Sequence, residues 1–434
     1  MRNASVWQRV LGLVATVIEG IEFDEDADAM VVSVRPRKGA RRRCGRCGRR
    51  SPWYDRGGGR RRWRGLDLGT VRVFLEADAP RVTCSEHGVT VIQVPWARHD
   101  AGHTRAFDDT VAWLAVHCSK TAVVELMRVA WRSVGAIVTR VVDDSIAGLD
   151  RLEGLRRIGI DEISYKKGHR YLTVVVDHDS RKLVWAAAGR DRATLGRFFD
   201  ELGDERAAQI THVTADAADW IAFVVADRCP NAVLCADAFH VVAWATEALD
   251  EVRRQAWNDA RAVARREPKL KRGRPPKGTP PRPGHERAEA LKHARYALWK
   301  NPEDLNDRQH HKLAWIAKTD PKLHRAYLLK EGLRHVFKVK GEEGKDALDR
   351  WLAWAARSRI PSMVKLGVRI RRHRASIDAA LEHNLSNGLV ESTNTKIRLL
   401  QRVAYGFKSP DALIALAMLS VGGHRPDLPG RATA

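Results

Sequence analysis

The sequence predicts an α/β core built on a mixed sheet, interrupted by a helical insertion and preceded by a zinc ribbon and a helix-turn-helix. Three observations predict this fold class. Strand-like and helix-like runs alternate between residues 155 and 243, which is typical of an α/β layer. One Cys–Cys pair and one Cys–His pair lie near the N-terminus with the spacing of metal knuckles. Apolar residues then recur every three or four positions, as in packed helices.

Length and charge limit the class of protein. The chain has 434 residues and 44% hydrophobic content, enough for several domains and more than one core. Its 76 Lys and Arg residues outnumber 53 Asp and Glu residues, and the net charge of +23 predicts a polyanionic partner, with nucleic acid the first candidate. No apolar run approaches the roughly 18–20 residues of a membrane span, and six scattered cysteines do not form a disulfide framework. We therefore expect a cytoplasmic protein without a membrane partner.

The N-terminal region predicts a structural zinc site. Residues 1–40 form an N-terminal segment without a readable function, and residues 41–95 form the ribbon. C-x2-C and C-x2-H pairs supply four soft ligands, which suits one tetrahedral Zn²⁺ and leaves no open position for water. Unrelated reduced thiols are the alternative, and the three other cysteines suit apolar cores. The predicted ligands are Cys44, Cys47, Cys84 and His87.

Residues 104–145 predict a helix-turn-helix that binds DNA. The apolar spacing indicates three helices, with Ser119 and Ser133 as N-caps. Amphipathic helices are common in any helical domain, so the indication of DNA binding comes from surface chemistry. Guanidinium groups around the second and third helices suit phosphates or guanine edges. These are Arg128, Arg132 and Arg140.

Three carboxylates in the core predict metal-dependent phosphodiester chemistry. Asp161 and Asp216 follow short strand-like runs within residues 155–243, and Glu391 lies on a helix within residues 386–425, the last part of the core. Strand ends and a helix converge on one pocket. Three anionic ligands suit two Mg²⁺ or Mn²⁺ ions about 3.5–4 Å apart.

Each acidic residue also has an ordinary interpretation. A lone Asp at a strand end is usually a turn or cap residue, and a lone helix Glu is usually exposed. Glu162 should point to the opposite face of the strand from Asp161, and Asp219 is a rival on the turn after Asp216. Asp237 also follows a strand and competes for the second position, with His240 beside it. Near Glu391, residues suited to holding a phosphate backbone are Asn394, Lys396 and Arg398.

The helical insertion spans residues 244–385 and contains a basic Pro/Gly-rich linker at residues 267–287. The linker segment KRGRPPKG resembles sequences that lie in an A·T minor groove, where Arg272 and Arg274 would be inserted. A solvated linker is the ordinary alternative. The tryptophans of the insertion are expected in its helical core.

Taken in order, these motifs resemble the DDE transposases of bacterial insertion sequences, specifically the insertion-sequence L-three (ISL3) family, over nearly the whole chain. The resemblance lies in CGRC with CSEH, the helix-turn-helix, IGIDEIS, VTAD, PNAVLCADAFHVV and NGLVESTNTKIRLLQRVAYGF. It implies a ribonuclease H-like catalytic core with Asp161, Asp216 and Glu391 as its acidic triad. Asp216 is favoured over Asp237 because, in the ribonuclease H-like order, the second carboxylate ends the strand after the first helix.

The resemblance also implies the activity and the partners. The protein would bind the terminal inverted repeats of its element as double-stranded DNA, cut them and join them to target DNA, as an oligomer of at least two chains near the prokaryotic nucleoid. The enzymatic rival is a nuclease of the same fold that cuts without joining. The non-enzymatic rival, a zinc-finger and helix-turn-helix transcription regulator, leaves the three carboxylates without a purpose.

Overall fold

Two small sheets form the N-terminal part of the chain. The computed structural model describes residues 2–216, 218–267, 282–407 and 409–431. After helix α1 (Arg2–Val10) come seven strands: β1 (Thr16–Asp24), β2 (Ala29–Pro36), β3 (Trp53–Asp55), β4 (Arg60–Arg64), β5 (Arg72–Asp78), β6 (Arg81–Cys84) and β7 (Gly88–Val91). One sheet has the order β1-β2-β5-β4 and the other β3-β6-β7. Strand β5 alternates buried Val73, Leu75 and Ala77 with more exposed residues, so one face of the first sheet covers a core.

Strand pairing joins the predicted N-terminal segment to the predicted ribbon. Strand β2 pairs in parallel with β5, from Ala29 opposite Arg72 to Ser33 opposite Glu76. Residues 1–40 therefore contribute two strands to a sheet completed by residues 41–95. The partner of a strand is decided by packing between segments that are distant in sequence, which local residue patterns do not specify.

Three helices follow: α2 (Arg105–His117), α3 (Lys120–Met127) and α4 (Trp131–Ile146). Ser119 is the N-cap of α3 and accepts a hydrogen bond from the backbone N–H of Ala122, as predicted. The predicted N-cap at Ser133 is wrong, because α4 begins at Trp131 and Ala130 occupies the cap position without a side-chain bond. Arg128, the C-cap residue of α3, adopts the left-handed conformation.

A mixed five-stranded sheet forms the centre of the α/β region. Its elements are β8 (Arg157–Lys166), β9 (Arg170–Asp177), β10 (Lys182–Ala188), α5 (Arg192–Leu202), α6 (Asp204–Ala207), β11 (His212–Ala215), α7 (Asp219–Arg228) and β12 (Val233–Ala236). The strand order is β10-β9-β8-β11-β12. The first three strands are antiparallel, whereas β11 and β12 run parallel to β8. The apolar run of β9 is buried along most of its length, as expected for a strand covered on both faces.

The insertion is helical and has its own core. Its helices are α8 (Ala238–Ala264), α9 (Pro283–Lys292), α10 (Arg295–Trp299), α11 (Asp307–Thr319), α12 (Pro321–Val339), α13 (Gly341–Arg357), α14 (Pro361–Arg372) and α15 (Arg374–His383). Trp244 and Trp351 are buried in this core, and Trp257, Trp299 and Trp315 pack against it. Among the described residues, none of the helices combines the length and the apolar character that crossing a bilayer requires.

The chain then returns to the sheet with α16 (Gly388–Val403) and α17 (Pro410–Val421). Side chains of β8 alternate between two faces: Ile158 and Ile160 pack towards α5 and α7, whereas Ile163 and Tyr165 share a core with α16 and α17. Buried residues of α2, α3 and α4 belong to the same core as α17. Helices α2, α3 and α4 therefore pack on the same face of the sheet as α16 and α17.

Candidate active site and metal centre

The four predicted zinc ligands lie together at the base of the ribbon. Their ligand atoms are all within 4.8 Å of one another, and they are the one such group found among the described residues. The Sγ atoms of Cys47 and Cys84 are 3.7 Å apart, and the Nδ1 atom of His87 is 3.7 Å from Sγ of Cys84 and 3.9 Å from Sγ of Cys44. A tetrahedral ion with Zn–S bonds of about 2.3 Å requires sulfur separations of about 3.8 Å. The site therefore fits zinc.

Hydrogen bonds favour the thiolate of one ligand, Cys84. Hydrogen bonds from the backbone of Glu86, with further bonds from the side chain and backbone of His87, lower the pKa of Cys84 to about 6. The thiolate that binds a metal is thereby favoured. In the other knuckle, a β-carbon at Gly45 would lie 2.5 Å from Nδ1 of His99 and 2.6 Å from the carbonyl oxygen of Val91. The first knuckle therefore requires glycine at residue 45.

Asp161 projects from the central strand β8 onto the face that is covered by α16. Its Oδ1 accepts a hydrogen bond of 2.7 Å from the backbone N–H of Glu162, and its Oδ2 accepts one of 2.7 Å from the side-chain amide of Asn394. Burial raises the pKa of Asp161; His240 opposes this effect, and the carboxylates of Asp216 and Asp237 add to it. Glu162 instead binds Arg190 at 2.7 Å.

Asp216 and Asp237 continue the row of carboxylates across the sheet. Asp216 directly follows β11, whose last residue Ala215 is in register with Ile160 of β8. Asp237 directly follows β12, whose last residue Ala236 is in register with Ala215. Neighbouring strands are about 4.8 Å apart, so Asp216 is one strand from Asp161 and Asp237 is two strands away.

His240 connects the two aspartates. Its Nδ1 is 2.6 Å from a carboxylate oxygen of Asp237, and its Nε2 is 3.7 Å from one of Asp216. The hydrogen bond with Asp237, reinforced by the negative charges of Asp216 and Asp161, raises the pKa of His240 to about 9. Asp237 is 3% exposed and also caps α8, because its Oδ1 accepts from the backbone N–H of Phe239 at 3.3 Å.

Glu391 reaches the same region from the first turn of α16. Burial raises its pKa; the charge of Asp237 adds to the effect, His240 opposes it, and Asp161 adds to it further. The carboxylates of β8, β12 and α16 are therefore close enough to interact electrostatically. Among the described residues, these carboxylates are not grouped as tightly as the four zinc ligands, whose ligand atoms are within 4.8 Å of one another.

A buried polar chain, which the sequence analysis missed, holds α16 against the sheet. The hydroxyl of Thr214 on β11 donates to Oδ1 of Asn387 at 2.8 Å and lies 2.8 Å from Nε2 of His178. Because the hydroxyl has a single proton, His178 must donate through Nε2. Asn387 is the N-cap residue of α16 and is fully buried. The start of the helix that carries Glu391 is thus tied to the strand that precedes Asp216.

Gly159 sets the distance between α16 and β8. A β-carbon at this residue would lie 2.3 Å from Cγ2 of Val390 and 3.0 Å from both Nε2 of His178 and Oγ1 of Thr214. Val390 is the neighbour of Glu391, and Gly159 is two residues before Asp161 on the same face of β8. The close approach of the two acidic residues therefore depends on a missing side chain.

We expect Gly159→Ala to lower any activity of the acidic site by about 100-fold, because a displacement of about 1 Å is enough for such a loss. The overpacked core should also lose about 1–3 kcal/mol of stability. Gly196→Ala on α5 is the matched control, since no atom lies within 4 Å of the added carbon. Thermal unfolding and DNA cleavage, measured side by side, check both effects. Equal behaviour of the two variants would contradict the packing argument.

The three polar residues predicted beside Glu391 separate into two groups. Asn394 is 1% exposed and donates to Asp161, so the expectation that it meets DNA directly is wrong. Lys396 and Arg398 are exposed on α16. Helical periodicity does not show which side of α16 is covered. The packing of α16 against β8 buries Asn394 and leaves Lys396 and Arg398 exposed.

The predicted arginines of the helix-turn-helix also differ in their surroundings. Arg140 binds the fully buried carboxylate of Asp108 at 3.1 Å, which makes it an internal ion-pair partner and not the free DNA contact that we expected. Arg128 donates to the carbonyl oxygen of Thr70 at 3.0 Å. Arg132 is exposed on α4. Arg272 and Arg274 lie outside the described residues.

Comparison with known protein families gives three matches in chain order. A transposase model of the ISL3 type matches residues 158–417. A zinc-finger of transposase IS204/IS1001/IS1096/IS1165 matches residues 40–87, and a helix-turn-helix domain of transposase family ISL3 matches residues 92–142. The matched order of parts is the order that the sequence motifs predicted.

Whole-length relatives agree with these matches. The transposase for insertion sequence element IS1557 of Mycobacterium tuberculosis is 71% identical over 437 residues, which cover 99% of this chain and 98% of the relative. The transposase for insertion sequence element IS1001 of Bordetella parapertussis is 25% identical over 354 residues, covering 81% of this chain and 82% of the relative.

Proposed function

The chain belongs to the ISL3 family of insertion-sequence transposases, and from this premise we propose that it binds the terminal inverted repeats of its element and catalyses metal-dependent strand cleavage and strand transfer. One observation carries the proposal. Carboxylates from the central strand β8, from the residue that follows its parallel neighbour β11 and from the facing helix α16 lie near one another, because Asp161 interacts electrostatically with both Asp216 and Glu391. A regulator that only binds DNA has no use for this arrangement.

We propose that the core is ribonuclease H-like. Its support is the strand order, with three antiparallel strands followed by two strands parallel to the first. The helical insertion between β12 and α16 separates the second acidic residue from the third, as the family resemblance implies. The proposed core parts are residues 155–243 and 386–425.

The proposed ligands of two Mg²⁺ or Mn²⁺ ions are Asp161, Asp216 and Glu391. The donor set fits such ions, because it consists of hard carboxylate oxygens. When bound, the ions would activate the attacking oxygen and stabilise the leaving oxygen. Asn394 acts on this set by orienting Asp161, and His240 holds Asp216 through its link to Asp237.

The same pocket serves two successive displacements at phosphorus. Water attacks a phosphodiester at the element's end and releases a 3′-hydroxyl; that hydroxyl then attacks target DNA. Both steps are in-line displacements, so the chain does not need a covalent intermediate. Because two ends must be held together, we propose an oligomer of at least two chains, working in the cytoplasm at the nucleoid.

The proposed DNA contacts are the exposed basic residues near the site and on the helix-turn-helix. Arg132, Lys396 and Arg398 are exposed and free to meet phosphates. Arg128 keeps an exposed part of its side chain and remains a weaker candidate. The minor-groove role of Arg272 and Arg274 stays a prediction.

A joining assay tests the proposal and identifies the second aspartate. Linear DNA with the element's ends, supercoiled target and Mg²⁺ should yield joined products, whereas a nuclease of the same fold would give cut DNA only. We expect Asp216→Asn to abolish cutting and joining, since residue 216 is one strand from Asp161. Asp237→Asn should retain part of both, because its role is to orient His240. The reverse order of severity would reassign the second ligand to Asp237.

A further inference from the structure

A groove of about 860 Å³ lies between the helix-turn-helix and the helix that carries Glu391. One wall is formed by the N-terminal half of α4 and by Lys120 of α3. The opposite wall is formed by the last turns of α16, the turn at residues 404–407 and the start of α17. The end of β8 forms the floor, where the side-chain amide of Gln401 donates to the backbone carbonyl of Tyr165.

The charges around the groove have one sign. Four of the described residues that line it are cations, and none carries a carboxylate. The cations are Lys120, Arg132, Lys166 and Lys167. Arg132, Lys166 and Lys167 are exposed and have no ion-pair partner among the described residues. A partner that fits this rim must be an anion with several charges.

Aromatic rings stand at the mouth of the groove. Tyr405 is 89% exposed and is held in the left-handed conformation, with φ of 54°, directly after the last turn of α16. Trp131 is 48% exposed, and the Nζ atom of Lys120 lies 4.7 Å from the centre of its ring. Exposed rings beside unpaired cations are the combination with which proteins stack bases and hold a sugar-phosphate backbone.

The groove is connected to the acidic site by two elements. Lys166 lies five residues after Asp161 on β8, about 17 Å along the strand. Glu391 and Val403 are at opposite ends of α16, about 18 Å apart. Either path corresponds to about five stacked nucleotides at 3.4 Å each.

We propose that this groove binds unpaired nucleotides of the DNA strand whose phosphodiester lies at the acidic site, stacking a base on Tyr405 or Trp131 and holding phosphates with Lys166, Lys167 and Arg132. The inference rests on the proposed function, because it assigns the strand to that site. A paired end offers its phosphates but exposes only the outer face of its last base pair, whereas unpaired nucleotides offer both faces of each base to the aromatic residues. An apolar peptide would leave the cations without partners.

A binding experiment without divalent metal tests the groove separately from catalysis. The probe is a duplex with a tail of about five unpaired nucleotides, the span estimated above, that carries 2-aminopurine; the reference is the same duplex with a blunt end. The full chain should bind the tailed probe about tenfold more tightly and quench its fluorescence, as expected for one stacked base. Tyr405→Asn, which suits the left-handed conformation, should remove most of this preference, and so should the double variant Lys166→Ala with Lys167→Ala.

The matched control for Tyr405→Asn is Tyr296→Asn, the same change at an exposed residue of α10. Lys318→Ala, at an exposed residue of α11, controls for the loss of a single surface lysine. The proposal is overturned if the wild-type chain binds both probes equally, or if the groove variants weaken both probes to the same extent. It is also overturned if Tyr405→Asn alters only the oligomeric state in sedimentation, which would assign the groove to a second copy. A chain that prefers the tail but never cuts supports the groove and contradicts the proposed function. A chain that cuts without the preference contradicts the groove alone.

Discussion

Asp161→Asn lowers the rate of DNA strand cleavage by roughly 1,000-fold or more, while binding of the element's ends changes little. A metal site supplies several kcal/mol of transition-state stabilisation, and each 1.36 kcal/mol corresponds to a factor of ten. The asparagine keeps the shape of the side chain and one acceptor oxygen, so it can retain one of the two hydrogen bonds that Asp161 accepts from Glu162 and Asn394, and we expect the fold to be retained. Cleavage of an end-labelled duplex and fluorescence anisotropy of the same duplex measure the two quantities.

The control for this loss of charge is Asp204→Asn, because the side chain of Asp204 is 97% exposed and belongs to α6, outside the strands and the helix that carry the row of carboxylates. Glu391→Gln should reproduce the defect of Asp161→Asn. The double variant should be little worse than either single variant, since residues that act as one unit are strongly non-additive. Undiminished cleavage by Asp161→Asn would remove this residue from the proposed site.

The second large effect concerns the zinc ribbon. Cys44→Ser, or treatment with a strong chelator, should unfold the sheet of β3, β6 and β7. The ligands lie before β3, at the end of β6 and in the turn after β6. Structural zinc in zinc-finger peptides contributes about 10–16 kcal/mol at neutral pH. The wild-type chain should contain about one zinc ion. Elemental analysis and hydrogen exchange, compared between the ribbon and the α/β core, measure the metal content and the unfolding.

Cys118→Ser is the matched control, because Cys118 is a free cysteine outside the ligand cluster. This variant should retain the zinc ion, and the backbone amides of the ribbon should remain protected from hydrogen exchange. If Cys44→Ser stops cleavage while the α/β core remains protected from hydrogen exchange, the ribbon is needed for DNA recognition and not for the fold of the acidic site. Folded and active protein without zinc would contradict the assignment.

Local sequence spacing predicted the features that depend on neighbours along the chain. The Cys–Cys pair and the Cys–His pair each form a knuckle, so their spacing by itself predicts the metal-binding cluster. Alternation along β8 predicted that Glu162 and Asp161 point to opposite faces, and Glu162 binds Arg190. These interactions follow from the period of a strand or from a tight turn, which a short sequence segment specifies by itself.

Pairing between distant segments was decided only by the tertiary structure. The bond from Asn394 to Asp161 joins residues 233 positions apart, and the contact of Val390 with Gly159 depends on how α16 packs on β8. The ion pair of Arg140 was not predictable from local spacing either, because its partner Asp108 is on another helix. The sequence by itself determined the parts, their order and the residue types of both sites. Which polar groups face each other was determined by packing, because burial requires each of them to find a partner that periodicity does not specify.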